Sequence, residues 1–144
     1  MLRRFLLSLL ILVIANPIWA LDTAPPRSKN EQAIHAMVKD WAQAWQNQNI
    51  AAYLNFYSPE FAPANGLSLA QWQQQRTARI TEPLFIKTET SAIQVSDLHG
   101  DFAQVQFQQK YTAAQYHDTV TKTLQLERQR GLWLIVKESS SPSK

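Results

Sequence analysis

Two long runs in the C-terminal half of the chain alternate apolar and polar side chains, and this period of two constrains the fold more than any other feature. In the first, Phe102 to Ala113, the residues Val105, Phe107, Gln109 and Tyr111 share one parity, and Gln104, Gln106, Gln108 and Lys110 share the other. Successive side chains of a strand point to opposite faces, so such a ribbon has one wet and one buried side. In the second run, Tyr116 to Gln129, the row Tyr116, Asp118, Val120, Lys122, Leu124 and Leu126 opposes a polar row of Thr119, Thr121, Thr123, Gln125 and Glu127. A further strand, Leu132 to Glu138, follows after Arg130-Gly131. Every connection is short enough to make the strands antiparallel neighbours. Asp118 and Lys122 are charges that packing does not require. The pattern therefore predicts a curved sheet with a partly polar hollow.

What covers the hollow comes earlier in the chain. Ser28 and Glu31 have the spacing of a capping box, and Ile34, Val38, Trp41 and Trp45 recur at helical spacing, predicting a first helix to about Gln48. Asn49 can cap a short second helix, Ile50 to Tyr57, which must stop before Ser58-Pro59. Phe61 to Gly66 reads as a loop. Ser68 caps a third helix, with Leu69, Trp72, Arg76 and Ile80 on one side, ended by Glu82-Pro83. Leu84 to Val95 predicts the first long strand, its faulty alternation the mark of a bulge, and His99-Gly100-Asp101 a turn. Helices first and antiparallel strands second is an α+β order: three helices on a strongly curved sheet of about four strands.

The chain opens with Arg3-Arg4, an apolar run from Phe5 to Ala15, then Asn16-Pro17 and a cleavage point after Ala20, the layout of a secretory signal. The run is shorter than the roughly 20 residues that span a bilayer, so no stable membrane anchor is expected after cleavage. The expected organisation is a signal peptide over 1–20, a flexible linker over 21–30 containing Pro25-Pro26, one domain over 31–138 and a disordered serine-rich tail over 139–144. The expected location is periplasmic or secreted. Loss of the leader lowers the formal charge from +3 to +1, and no Lys/Arg cluster remains to follow a phosphate backbone, so nucleic acid is excluded as a partner. With no cysteine, disulfides and thiolate chemistry are excluded too. His35, His99 and His117 do not converge, and neither a metal nor a cofactor is expected.

Trp41 and Trp45, Tyr53 to Tyr57 before Ser58-Pro59-Glu60-Phe61, Trp72 with Arg76, Phe107 to Tyr111, Tyr116 with Asp118 and Lys122, and the closing Trp133 to Glu138 together resemble a nuclear transport factor 2-like, cystatin-like α+β cone domain. They are similar in particular to the domain at the C-terminus of some L,D-transpeptidase-fold murein enzymes. The resemblance covers residues 31–138 and implies a bent sheet wrapped round a long helix, with a conical pocket. The catalytic cysteine domain of those enzymes has no counterpart here, so their chemistry is not implied.

The expected ligand-binding residues of that pocket are Tyr57, Trp72, Arg76, Tyr111, Tyr116, Asp118 and Lys122. Asp118 and Lys122 lie on one face of an extended strand but about 13 Å apart, too far to pair; the competing structural reading pairs Asp118 with Arg76. No catalytic constellation is expected. Asp118 is the one carboxylate that could serve as a general base, as in the ketosteroid isomerases and polyketide cyclases of the same fold. Leu132, Leu134 and Val136, opposite in parity to Trp133, Ile135 and Lys137, form an apolar outer face suited to a homodimer. The leading expectation is an exported, non-catalytic module binding a small molecule or an envelope component, murein among them. The alternatives are a small isomerase, dehydratase or cyclase using Asp118, and an interaction domain using the outer sheet face.

Overall fold

Both long helices begin where a serine can close a reciprocal cap. The Ser28 hydroxyl accepts from the Glu31 N–H at 3.2 Å while the Glu31 carboxylate accepts from the Ser28 N–H at 2.7 Å, and Ser68 and Gln71 repeat the arrangement at 3.2 and 2.9 Å. Each cap satisfies donors that a helix start leaves without partners. In the computed structural model, which describes residues 25–143, the caps start α1 (Lys29–Gln46) and α3 (Leu69–Thr81), with the short α2 (Ile50–Leu54) between them. The leader expected over 1–20 lies outside the described residues, as do Leu21 to Ala24 and Lys144.

Four strands follow as an antiparallel meander in the order β1-β2-β3-β4: β1 (Ile86–His99), β2 (Phe102–Ala113), β3 (Tyr116–Gln129) and β4 (Leu132–Pro142). The bounds of β2 and β3 are those the alternation predicts. Arg130 and Gly131, at φ 52° and 80°, turn β3 into β4 in two residues, a left-handed pair that matches the twist of a hairpin. β1 carries the expected irregularity twice, at Ala92 (φ 51°) and Asp97 (φ 50°), and it runs on to His99 rather than stopping at Val95.

Three expectations are corrected. The second helix ends at Leu54 instead of Tyr57, because the backbone after it leaves to pair with β4: the Ile135 N–H donates to Phe56 O at 2.8 Å and the Ser58 N–H donates to Ile135 O at 2.9 Å. These bonds cover part of an otherwise open sheet edge. The tail expected to be disordered over 139–144 is instead strand as far as Pro142, with Ser139 to Pro142 facing Thr123 to Val120. Finally, a register shift in β4 makes Gln125 face Lys137 but Leu126 face Ile135, leaving Val136 as an extra residue. Parity therefore flips at Val136, and Glu138, not Lys137, joins Trp133 and Ile135 on the helix-facing side.

The core between helices and sheet is aromatic. Trp41 and Tyr53 are fully buried, Trp41 meets the edge of Phe107 at 5.8 Å, and Tyr57, Phe61 and Trp72 pack with centroids 4.6–4.9 Å apart. At about 25 cal/mol per Å² of apolar surface, such rings dominate the burial energy. Thr88 fixes β1 to α1 by donating its hydroxyl to Ala42 O at 2.9 Å. On the outer face Leu132 is exposed, and Leu134 and Val136 are half-buried.

Candidate functional site: a polar-floored cavity between the third helix and the sheet

The sheet curves away from α3 at the end where β2 turns into β3, and the gap is an open cavity of about 810 Å³, within the size range of small-molecule sites. β2 contributes Gln109 and Tyr111, β3 contributes Tyr116, Asp118, Val120 and Lys122, α3 contributes Arg76 and Arg79, and α1 contributes Trp45. Register explains the set, since Gln109 faces Val120 and Tyr111 faces Asp118 across the β2–β3 ladder. The segment after α3 closes one side, held by Gln48, whose amide donates to Ile80 O at 2.9 Å and to Pro83 O at 2.7 Å.

Three charges converge at the cavity floor, Arg76 and Lys122 from its lining and Glu138 from behind it. The Lys122 ammonium donates to the Glu138 carboxylate at 2.8 Å, and Arg76 approaches the same oxygen at 3.7 Å; their side chains are 7%, 6% and 15% exposed, respectively, for Lys122, Glu138 and Arg76. The Tyr57 hydroxyl donates to the other Glu138 oxygen at 2.7 Å and lies 3.1 Å from the Trp41 indole N–H, from which it accepts. Because Tyr57 has a single proton, Tyr53 must be the donor in their 2.6 Å contact. Burial alone would raise the Glu138 pKa, but Lys122, Arg76 and the hydrogen bonds from Lys122 and Tyr57 outweigh it and hold the carboxyl below its ordinary range. Burial pushes the Tyr53 and Tyr57 hydroxyls well above theirs, so both stay neutral. Burial works against the Arg76 charge, but the Glu138 carboxylate beside it favours that charge, and the guanidinium stays protonated.

Above this cluster stands an aromatic wall. Arg76 lies 5.8 Å from the Trp45 ring and 5.5 Å from the Trp72 ring, Trp45 is 5.4 Å from Tyr111, and Tyr111 is 6.0 Å from the exposed Tyr116. Among the described residues, two buried donors here have no partner: the Trp45 indole N–H and the Gln109 side-chain amide N–H. An unsatisfied buried polar group costs roughly 1–3 kcal/mol, and both residues border the cavity.

Five of the residues expected at the site, Arg76, Tyr111, Tyr116, Asp118 and Lys122, line this cavity. Tyr57 and Trp72 do not; they are corrected to core positions, Tyr57 saturated by Glu138, Trp41 and Tyr53, and Trp72 packed on Tyr57 and Phe61. The expected alternative pairing of Asp118 with Arg76 gives way to Glu138 as the partner of Arg76. Asp118 sits half-buried on the cavity wall, where it accepts from the Tyr116 hydroxyl at 3.1 Å. Sequence reasoning missed Gln109, Trp45 and Glu138. Gln109 was visible as the one amide in the apolar row of β2, whereas Glu138 was hidden by the Val136 bulge.

The family model for the Cds6 C-terminal NTF2-like domain matches residues 33–139. No curated protein matches the chain. Among solved structures, Bd1075 of Bdellovibrio bacteriovorus is 27% identical with a TM-score of 0.71, over 81% of this chain and 44% of that one. The helical cell shape determining protein Pgp2 (K307A mutant) of Campylobacter jejuni is 21% identical with a TM-score of 0.70, over 78% of this chain and 41% of that one. An NTF2-like protein of Pseudomonas putida shares the fold at 16% identity and a TM-score of 0.67, over 78% of this chain and 85% of that one. The chain thus spans less than half the length of Bd1075 and of Pgp2.

Proposed function

Starting from the fact that the chain belongs to the family of Cds6 C-terminal NTF2-like domains, we propose that it is an exported, non-catalytic binding module of the cell envelope whose cone takes a small ligand. The observation that carries this reading is an open cavity of about 810 Å³ bordered by two buried donors without partners. A pocket kept only for packing would satisfy or omit such groups; one that awaits a ligand leaves them free. The envelope enters through the fold shared with Pgp2, a cell shape determining protein, and through the signal-like start of the chain, residues 1–20. The non-catalytic part rests on the chemistry of the wall. Its carboxylate candidate for a base, Asp118, is tied to an exposed tyrosine, while the buried carboxylate, Glu138, is neutralised by Lys122 and Arg76.

The test is a titration of the ¹⁵N-labelled protein with soluble muropeptide and glycan fragments, following the Trp45 indole and Gln109 amide resonances. Binding at the pocket moves both, and Trp45→Ala weakens it. Envelope fragments that leave both resonances in place would defeat the reading. Turnover of a bound fragment that stops in Asp118→Asn would instead favour an enzyme.

A further inference from the structure

The geometry points to an organic monocarboxylate as the occupant of this pocket, its carboxyl group held by Arg76, Gln109 and Trp45 and its apolar body lying along Tyr111 and Tyr116. This rests on the binding reading above and narrows it to a chemical class.

Charge is the first argument. Arg76 and Lys122 bring two cations into the buried cluster, and Glu138 brings one anion. Both Glu138 oxygens already accept short bonds, from Tyr57 at 2.7 Å and Lys122 at 2.8 Å, whereas the Arg76 approach of 3.7 Å is longer than a hydrogen bond. One cation is therefore in excess, and it is the guanidinium, whose planar fork matches a carboxylate. Arg76 is also braced between the Trp45 and Trp72 rings, so little further ordering is needed when a ligand arrives.

The donors are the second argument. Trp45 Nε1 and Gln109 Nε2 are buried and without acceptors. Whichever way the Gln109 amide is turned, an indole N–H can only donate, so this part of the wall calls for an acceptor.

The outer lining sets the charge of the ligand. Closer to solvent the cavity is bordered by Arg79, Glu82 and Asp118, one cation against two anions. A dianion such as a phosphate monoester would exceed the single buried positive charge and meet this outer negative surplus. A neutral carbonyl would leave Arg76 uncompensated. A single carboxylate balances the one surplus charge of the buried cluster. The Trp45, Tyr111 and Tyr116 rings then offer a face for a flat or hydrocarbon body.

The experiment titrates the ¹⁵N-labelled protein with phenylacetate, phenylacetamide, phenyl phosphate and N-acetylglucosamine. Phenylacetate is expected to bind at least tenfold more tightly than the other three and to move the Trp45 indole and Gln109 amide resonances, while the Trp41 indole, already bonded to Tyr57, stays in place. Arg76→Gln should weaken phenylacetate tenfold or more and leave phenylacetamide within twofold. Gln109→Leu, which keeps the charges intact, should weaken phenylacetate several-fold. Equal binding of phenylacetamide, or tighter binding of phenyl phosphate, overturns the carboxylate assignment and leaves the pocket as a binding site. Should none of the four move Trp45 at millimolar concentration while envelope fragments do, the carboxylate assignment alone falls; if those fragments fail as well, both readings fall.

Discussion

Lys122 and Glu138 meet at 2.8 Å inside the cone although they are not opposite each other in the sheet: Lys122 faces Ser140, and Glu138 faces Leu124. The pair is diagonal, and it exists because the extra residue Val136 rotates Glu138 inward. Removing Glu138 would leave two buried cations with no anion. Glu138→Ala should therefore cost about 3–5 kcal/mol in urea unfolding, the range for breaking a buried pair, while the apolar double replacement Lys122→Met with Glu138→Leu should cost clearly less. A single Glu138→Ala cost below about 1 kcal/mol would show that the pair is not desolvated in solution.

The same carboxylate sets a pH dependence. Its folded pKa lies below the unfolded value of 4.5, so its contribution to stability is complete above that value and declines as pH falls through the lower folded pKa. The stability difference between the wild type and Glu138→Gln should accordingly be constant from pH 7 to about 5 and shrink in more acidic buffer. A gap that widens on acidification would reverse the sign of this coupling.

Gln109 is 2% exposed and its amide N–H has no partner. Gln109→Leu keeps the volume of the site close to its own and removes the desolvation penalty. The unliganded variant should be more stable by about 1 kcal/mol, equivalent to a melting temperature higher by roughly 4–8 °C. Calorimetry checks it, and a lower melting temperature would mean that the amide is satisfied by water in the cavity.

Truncation after Glu138 removes the pairing of Ser139 to Pro142 with Val120 to Thr123. The net loss should be about 1–3 kcal/mol. Hydrogen exchange should show the amides of that part of β3 losing protection, with those of Ala103 to Val105 in β2, which pair with Leu126 to Leu124, little changed. Unchanged exchange at Val120 to Thr123 would restore the disordered tail that the composition suggests.

How far the residues alone led can be judged from single positions. The alternation of β2 and β3 needs no partner to be read, since period two is a property of the backbone, and Ser28 and Ser68 announce their helices through contacts three residues away. Asp118 and Lys122 stood out in an apolar row, and both line the cavity. Ser139 to Pro142 misled because their composition is that of a coil, and only the free edge of β3 beside them makes a strand.

By itself, then, the sequence determined the order of helices and strands, the inward faces of β2 and β3, and a polar element inside an apolar fold, all of which follow from local spacing. Tertiary structure alone decided that Glu138 turns inward, that Tyr57 and Trp72 are spent on the core, and that Trp45 and Gln109, both bordering a cavity, are left with buried donors that have no partner among the described residues. The reason is physical: a one-residue bulge or an unmet hydrogen bond is settled by what lies across the fold, and no neighbour in the chain encodes it.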